Sequence, residues 1–221
     1  MADVASRAGD RYATPQILDW VARTHHPADS GLNRAFMAPA AHDMPEIQVG
    51  PAEGRLLEVL LRLAGARKVV EIGTLAGYSA LWIARALPED GHLWTIEADS
   101  AHAAVAREVI ADAGCSQRVT VVEGDALETL PKLSDFGPFC AVFIDADKAR
   151  YDRYGRWATE NLRDGGLLIG DNAYLFGHLL EDREDAKAMR NFHEEMAARY
   201  LSLCVPTPDG LAVGVKLGSD T

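Results

Sequence analysis

Hydrophobic and polar positions change period several times along the chain. Ile17, Leu18 and Val21 follow Thr14-Pro15 at helical spacing, and a hydroxyl residue ahead of proline favours a helix start, because the hydroxyl caps free amides and proline tolerates the first turn. That short helix is expected to end near the His25-His26-Pro27 break, and a second to cover Asp29 to Met37, with an Ala- and Pro-rich linker running through Pro45. Leu56, Leu57, Leu60, Leu61 and Ala64 then repeat at helical spacing. Beyond them the pattern alternates. Strand-like runs at 67–72, 92–97, 118–123, 139–144 and 166–170 are separated by helix-like stretches around 78–87, 100–113, 126–132 and 150–161. This order predicts a doubly wound parallel α/β sheet, because parallel strands need crossover helices. A helix from about Asp182 to Arg199 precedes Leu201–Val205, and Pro208-Asp209-Gly210 turns the chain into Leu211–Lys216, predicting a terminal antiparallel β-hairpin. The expected organisation is a helical cap over residues 1–45 and an α/β domain over 46–221, with a mostly parallel sheet of seven strands.

The length, 221 residues, suits a single main core. With 33 acidic against 22 basic residues the formal charge is −11, which repels phosphate backbones and anionic lipid surfaces and favours a small-molecule substrate over nucleic acid or membrane. Cys115, Cys140 and Cys204 are odd in number and lack C-x-x-C spacing, so neither a disulfide framework nor a zinc knuckle is expected. The first residues carry no signal-peptide pattern, and the longest apolar run, Phe139–Ile144, is far too short to span a bilayer. A cytoplasmic protein is the expectation.

Candidate chemistry gathers where strands end. Gly73 and Gly77 lie between the first strand and the next helix, where backbone can approach a ligand and helix amides point outward. Their spacing is G-x-x-x-G without a third glycine, which disfavours a nicotinamide dinucleotide and suits an adenosyl group. A tight turn alone would also explain both glycines. Glu97 closes the second strand roughly 20 residues further on, from where a carboxylate reaches ribose hydroxyls in such sheets. Asp125, after the third strand, is placed to accept from an adenine amino group, to cap the following helix, or to do both. The fourth strand ends in Asp145-Ala-Asp147-Lys148 and the fifth in Asp171-Asn172. Asp145, Asp171 and Asn172 offer two carboxylates and a carbonyl from adjacent loops, the hard-oxygen set that suits magnesium, with manganese or calcium as alternatives. The Asp171 loop is expected at the surface, so that losing Asp171 would cost activity far more than stability.

Four ordered motifs carry a resemblance: Glu71-Ile-Gly-x-x-x-Gly77-Tyr-Ser79, Phe143-Ile-Asp145-Ala-Asp-Lys148-x-x-Tyr151, Gly165-Gly-x-x-Ile169-x-Asp171-Asn172, and Asp209-Gly210-Leu211. Over about Met44 to Lys216 the chain resembles the cation-dependent class I O-methyltransferases, the group of catechol and caffeoyl-coenzyme A O-methyltransferases, with their Rossmann-like fold. The resemblance implies S-adenosylmethionine bound by Val49, Glu71, Gly73, Thr74, Ser79, Glu97, Ala126 and Asp145, with Gly77, Gly124, Asp125 and Asp147 close by. It implies a divalent cation on Asp145, Asp171 and Asn172, and Lys148, with Asp145, as the catalytic pair, Lys148 being the general base. It further implies methyl transfer to one hydroxyl of a catechol-type small molecule, and a homodimer, for which the Leu56–Leu63 helix and the terminal hairpin offer apolar surface that sequence does not separate from core. The loop Ala173–Gly177 departs from the plant-type pattern, so the acceptor pocket is expected to differ in shape. A methyltransferase acting on nucleic acid or protein, and a non-catalytic binding protein of the same fold, are the competing readings. The first would draw on Asp171-Asn-Ala-Tyr174, which lacks the prolines of the amino-methylating signature.

Overall fold

The computed structural model describes residues 3–4, 13–25 and 29–218. Helices α1 (Pro15–His25), α2 (Ser30–Ala41) and α3 (Pro51–Leu63) precede β1 (Lys68–Ile72), α4 (Tyr78–Ala86), β2 (His92–Glu97), α5 (Ser100–Asp112), β3 (Val119–Glu123), α6 (Ala126–Leu133) and β4 (Phe139–Ile144). Then come α7 (Tyr151–Asn161), β5 (Leu162–Gly170), α8 (Glu184–Arg199), β6 (Tyr200–Val205) and β7 (Leu211–Lys216). The sheet order is β3-β2-β1-β4-β5-β7-β6. β1 to β5 are mutually parallel, and β7 runs antiparallel between β5 and β6. This is the expected doubly wound, seven-stranded sheet with a terminal hairpin.

Two differences concern the ends of elements. The second helix does not stop at Met37 but continues to Ala41 through Pro39, so the first part of the expected linker is helical. Its Leu32, Ala35 and Ala38 are buried in the same cluster as Leu57, Leu61 and Val69, and that burial holds a helix which propensity alone would end sooner. The break at His26-Pro27 lies outside the described residues. β5 also begins four residues earlier than the 166 expected, with its irregular register opposite Phe139/Ala141 and Gly165 at φ +71°.

One face of the sheet is covered by α2 to α5 and the other by α6, α7 and α8, each with its own buried cluster. The chain order of the parallel strands reverses between β1 and β4, and at such a switch point the loops at the carboxyl ends of the strands diverge and leave a crevice. Backbone bonds carry the ladder one residue past each of these strands: Gly73 N donates to Ile96 O (3.0 Å), Asp145 N to Ile72 O (2.9 Å) and Asp171 N to Ile144 O (2.9 Å). Loop residues therefore leave the sheet at a common level.

Candidate active site

A cavity of about 730 Å³ opens at this carboxyl edge. Val49, Gly73, Thr74, Ser79, Glu97, Gly124, Ala126, Asp145, Asp147, Lys148, Asp171 and Asn172 all line it. Of the residues singled out from sequence, Glu71, Gly77 and Asp125 stand behind its wall.

At one end lies the loop between β1 and α4. Gly73 has φ +98°, and a β-carbon there would fall 2.0 Å from the backbone oxygen of Asp145. The glycine thus lets two neighbouring loops touch. Gly77, at φ +84°, is the left-handed residue ahead of α4. Glu97 Oε2 accepts from the amides of Thr74 (3.2 Å) and Leu75 (2.8 Å), and Oε1 from Asp99 N (3.0 Å), so this carboxylate organises the loop as well as facing the cavity. Beneath the loop Glu71 is fully buried. Its Oε2 accepts from the Thr95 hydroxyl at 2.6 Å, which in turn lies 2.6 Å from that of Thr74, while Oε1 has no hydrogen-bond partner. Burial, with the nearby charges of Asp145 and Glu97, pushes its pKa up to about 8.

Asp125 caps α6 through Leu127 N (2.9 Å) and pairs with Arg150 (2.5 Å). The structure displays the capping role expected of Asp125. Arg150 also bonds Asp147 Oδ2 (2.6 Å), and these two carboxylates raise its pKa. Arg150 and Tyr154 both line the cavity, and periodicity could not have found them, because Arg150 sits at an ordinary polar position ahead of α7 and Tyr154 falls on the helix's buried stripe, which reads as core.

At the other end the loops after β4 and β5 meet. Tyr151 Oη sits between the backbone oxygens of Ile144 (2.5 Å) and Asp171 (2.7 Å), clamping the two strand ends. Lys148 Nζ lies 3.0 Å from Asp145 Oδ1 and 4.9 Å from the centre of the Tyr151 ring. Asp171 is only 4% exposed, which corrects the expectation of a surface loop. The chain turns inward there because its backbone is held by Tyr151 and by Ile144 O. Burial, then the charge of Asp145, lifts the Asp171 carboxyl to about 7. Asn172 adopts φ +52°, and its backbone N–H donates to Asp171 Oδ1 (2.8 Å). Two acidic side chains and an amide thus face one space with Lys148 as the adjacent cation. Among the described residues no three His, Cys, Asp or Glu side chains gather as metal ligands, so any cation here depends on the amide as well. Ile47, Glu53, Phe176 and Asp209 also line the cavity. Ile47 and Phe176 are exposed apolar side chains, a signal that sequence cannot separate from ordinary surface.

The O-methyltransferase family model matches residues 28–217. The chain is 39% identical over 190 residues to a catechol O-methyltransferase of Niastella koreensis, covering 85% of this chain and 86% of the relative. It is 42% identical over 161 residues to a catechol O-methyltransferase of Mycobacterium tuberculosis, covering 73% of each. An O-methyltransferase from Bacillus cereus, solved in complex with SAH, superposes with a TM-score of 0.85 at 34% identity, over 90% of this chain and 96% of that one. A Streptomyces achromogenes O-methyltransferase involved in tomaymycin synthesis, solved with SAM, gives 0.86 at 33%, over 92% and 96%. Fold and site together define a methyltransferase of the Rossmann-like class. More narrowly, the chain belongs to the O-methyltransferase family and is an S-adenosylmethionine-dependent O-methyltransferase.

Proposed function

We propose that this enzyme moves a methyl group from S-adenosylmethionine, held at the glycine-loop end of the cavity, to one hydroxyl of a catechol-type small molecule held at the other end beside a divalent cation. The observation that carries the reading is the pairing of buried Asp171 with Asp145 and the Asn172 amide in one wall of the cavity. Two like charges in a poorly hydrated site are costly by themselves, as the raised pKa of Asp171 records, and a hard cation removes that cost. The donor set therefore fits magnesium or manganese.

The relatives named catechol O-methyltransferase support the acceptor class. S-adenosylmethionine supplies a sulfonium methyl group, and bound cation supplies charge that stabilises a phenolate, whose parent phenol otherwise has a pKa near about 10. The chain's own residues do the rest. Val49, Thr74, Ser79, Glu97, Gly124 and Ala126 form the donor end, and Glu71 supports their loop from below. Asp147 and Arg150 brace the wall between donor and acceptor. Lys148, held against Asp145 and the Tyr151 ring, stands in the acceptor end as the general base, its amine taking the acceptor's hydroxyl proton after giving its own to solvent. Holding acceptor oxygen and methyl group in one cavity makes the transfer effectively unimolecular.

A homodimer and a cytoplasmic location belong to the same reading. Leu201 and Leu203 pair across the hairpin with Val215 and Val213, so their side chains share one sheet face, and that is the face packed by α3. There Leu201, Leu203, Val215, Val59 and Leu63 are exposed, an apolar surface that a second copy would cover. The three cysteines are free, in keeping with a reducing compartment. Among the described residues no helix is long and apolar enough to cross a membrane.

The test is methyl transfer from labelled S-adenosylmethionine to a panel of catechols and matching monophenols, with and without chelator. Turnover of the catechols that is lost in chelator and restored by magnesium or manganese is expected. Undiminished turnover in chelator, or equal rates on a monophenol, sinks the cation-assisted reading.

A further inference from the structure

A cation reading needs Asn172 to present oxygen, yet a side-chain amide can turn either end toward a site. An amide nitrogen has no free lone pair for a hard ion, so the flipped rotamer contributes nothing. Something must decide the orientation. Behind the loop after β5 lies the β6–β7 turn, joined to it by two backbone bonds: Ala173 N donates to Gly210 O (2.9 Å) and Tyr174 N to Asp209 O (2.9 Å). Gly210, at φ +75°, permits this approach, since a β-carbon there would fall 2.8 Å from the Tyr174 ring. The contact brings Asp209 Oδ2 to 3.4 Å from Asn172 Nδ2. Asp209 also lines the cavity.

We propose that Asp209 is the positioning residue that holds the Asn172 amide with its nitrogen turned to the β6–β7 turn and its oxygen turned to the cation site, an inference that rests on the cation reading above. The chemistry of the pair enforces the choice. An ionised carboxylate only accepts, so it attracts Nδ2 and repels Oδ1, whereas an apolar side chain in its place would leave either rotamer open. Outer partners of this kind orient ligands in metal sites generally. Asn172 is already restricted by its left-handed backbone, and the Asp209 contact fixes the remaining side-chain torsion.

The experiment titrates Mn²⁺ into the full chain and reads free ion by electron paramagnetic resonance. Wild type is compared with Asp209→Ala, Asp209→Leu, Asp209→Asn, Asn172→Ala and the double variant Asn172→Ala/Asp209→Ala. Asp209→Ala and Asp209→Leu should each weaken Mn²⁺ by about 10-fold or more, while Asp209→Asn, whose side-chain oxygen can still accept from Nδ2, stays within about 3-fold of wild type. Adding Asp209→Ala to Asn172→Ala should weaken binding no further, because the residue acts through the amide. S-adenosylhomocysteine affinity and circular dichroism should be unchanged in all variants, which separates the effect from a damaged fold. Wild-type Mn²⁺ affinity in both Asp209→Ala and Asp209→Leu overturns the proposal. So does an Asp209→Asn variant as weak as Asp209→Ala, or an equal loss in the Asn172→Ala background, since either outcome points to charge acting through space. A wild-type chain that takes no Mn²⁺ overturns the cation reading itself, and the positioning role with it.

Discussion

At the glycine-loop end of the cavity, Glu97 accepts hydrogen bonds from three backbone amides and left-handed backbone falls on Gly73, Leu75 and Gly77, whereas at the other end it falls on Asn172, Leu175 and Phe176, all non-glycine, and buried Asp171 shares the space with Asp145. The first end satisfies its groups within the fold. The second end carries more of the non-glycine left-handed strain, of order 1 to 3 kcal/mol per residue, and adds the like charge of Asp145 beside Asp171. Such costs persist where a bound partner relieves them, which supports the proposed division into a preformed donor end and an acceptor end completed by ligand. Glu71 is the exception within the donor end, being buried and protonated over much of the neutral range.

The largest expected effect that would break this contrast is on Asp171. Asp171→Ala should lower kcat/KM by at least about 100-fold, equivalent to losing roughly 3 kcal/mol of transition-state stabilisation. Its ligand-free stability should change by less than about 1 kcal/mol, because removing a carboxyl held against its preference offsets the lost packing. Steady-state kinetics beside urea denaturation reads both quantities. A large loss of stability with activity retained would mean that Asp171 is structural.

Gly73→Ala reports on the seam between the two ends. With a β-carbon meeting the Asp145 oxygen at 2.0 Å, one loop must move, and destabilisation of more than about 3 kcal/mol is expected. Near-native unfolding midpoints would show that the loops are not held in contact.

Glu71→Gln sharpens the exception. In the unfolded chain Glu71 titrates near 4.5 and in the folded protein at about 8, so the folded state binds the proton more tightly. Its contribution is therefore fully present below about pH 4.5 and is lost as pH rises towards 8, with the neighbouring Asp145 and Glu97 charges opposing ionisation. Relative to wild type, Glu71→Gln should gain stability across that window, on the order of a few kcal/mol by its upper end. Thermal melts of ligand-free protein from pH 5 to pH 8.5 give the comparison, and parallel curves would contradict a buried neutral acid.

The smallest expected effect is at Phe176, which has φ 52° and is 57% exposed. Phe176→Gly should relieve left-handed strain and stabilise the protein by about 0.5–1 kcal/mol. It should also raise the acceptor KM, because an apolar wall of the cavity is removed. Unchanged stability and KM would remove strain at this position from the contrast.

The elements were legible because each rests on local pattern. The run Phe139–Ile144 is apolar at every position and became the central strand with the expected bounds, and His92–Glu97 did likewise. The strand-end acids were legible too, since Asp145, Asp171 and Asn172 interrupt apolar runs where the chain must leave the sheet. The continuation of α2 past Met37 was not, because only burial of Ala38 against the neighbouring helices stabilises it. Asp171 could not be recognised as buried from its own segment, since Tyr151, twenty residues away, supplies the clamp. The same holds for Arg150 reaching Asp125 and for Asp209 reaching Asn172. Sequence by itself determined which segments are strands and helices, their order, and hence the edge at which ligands meet the sheet, because hydrophobic period and crossover geometry act over a few residues at a time. Only the tertiary structure decided which acids are buried, which are paired and which way an amide turns, because those depend on distances between segments that no local period encodes.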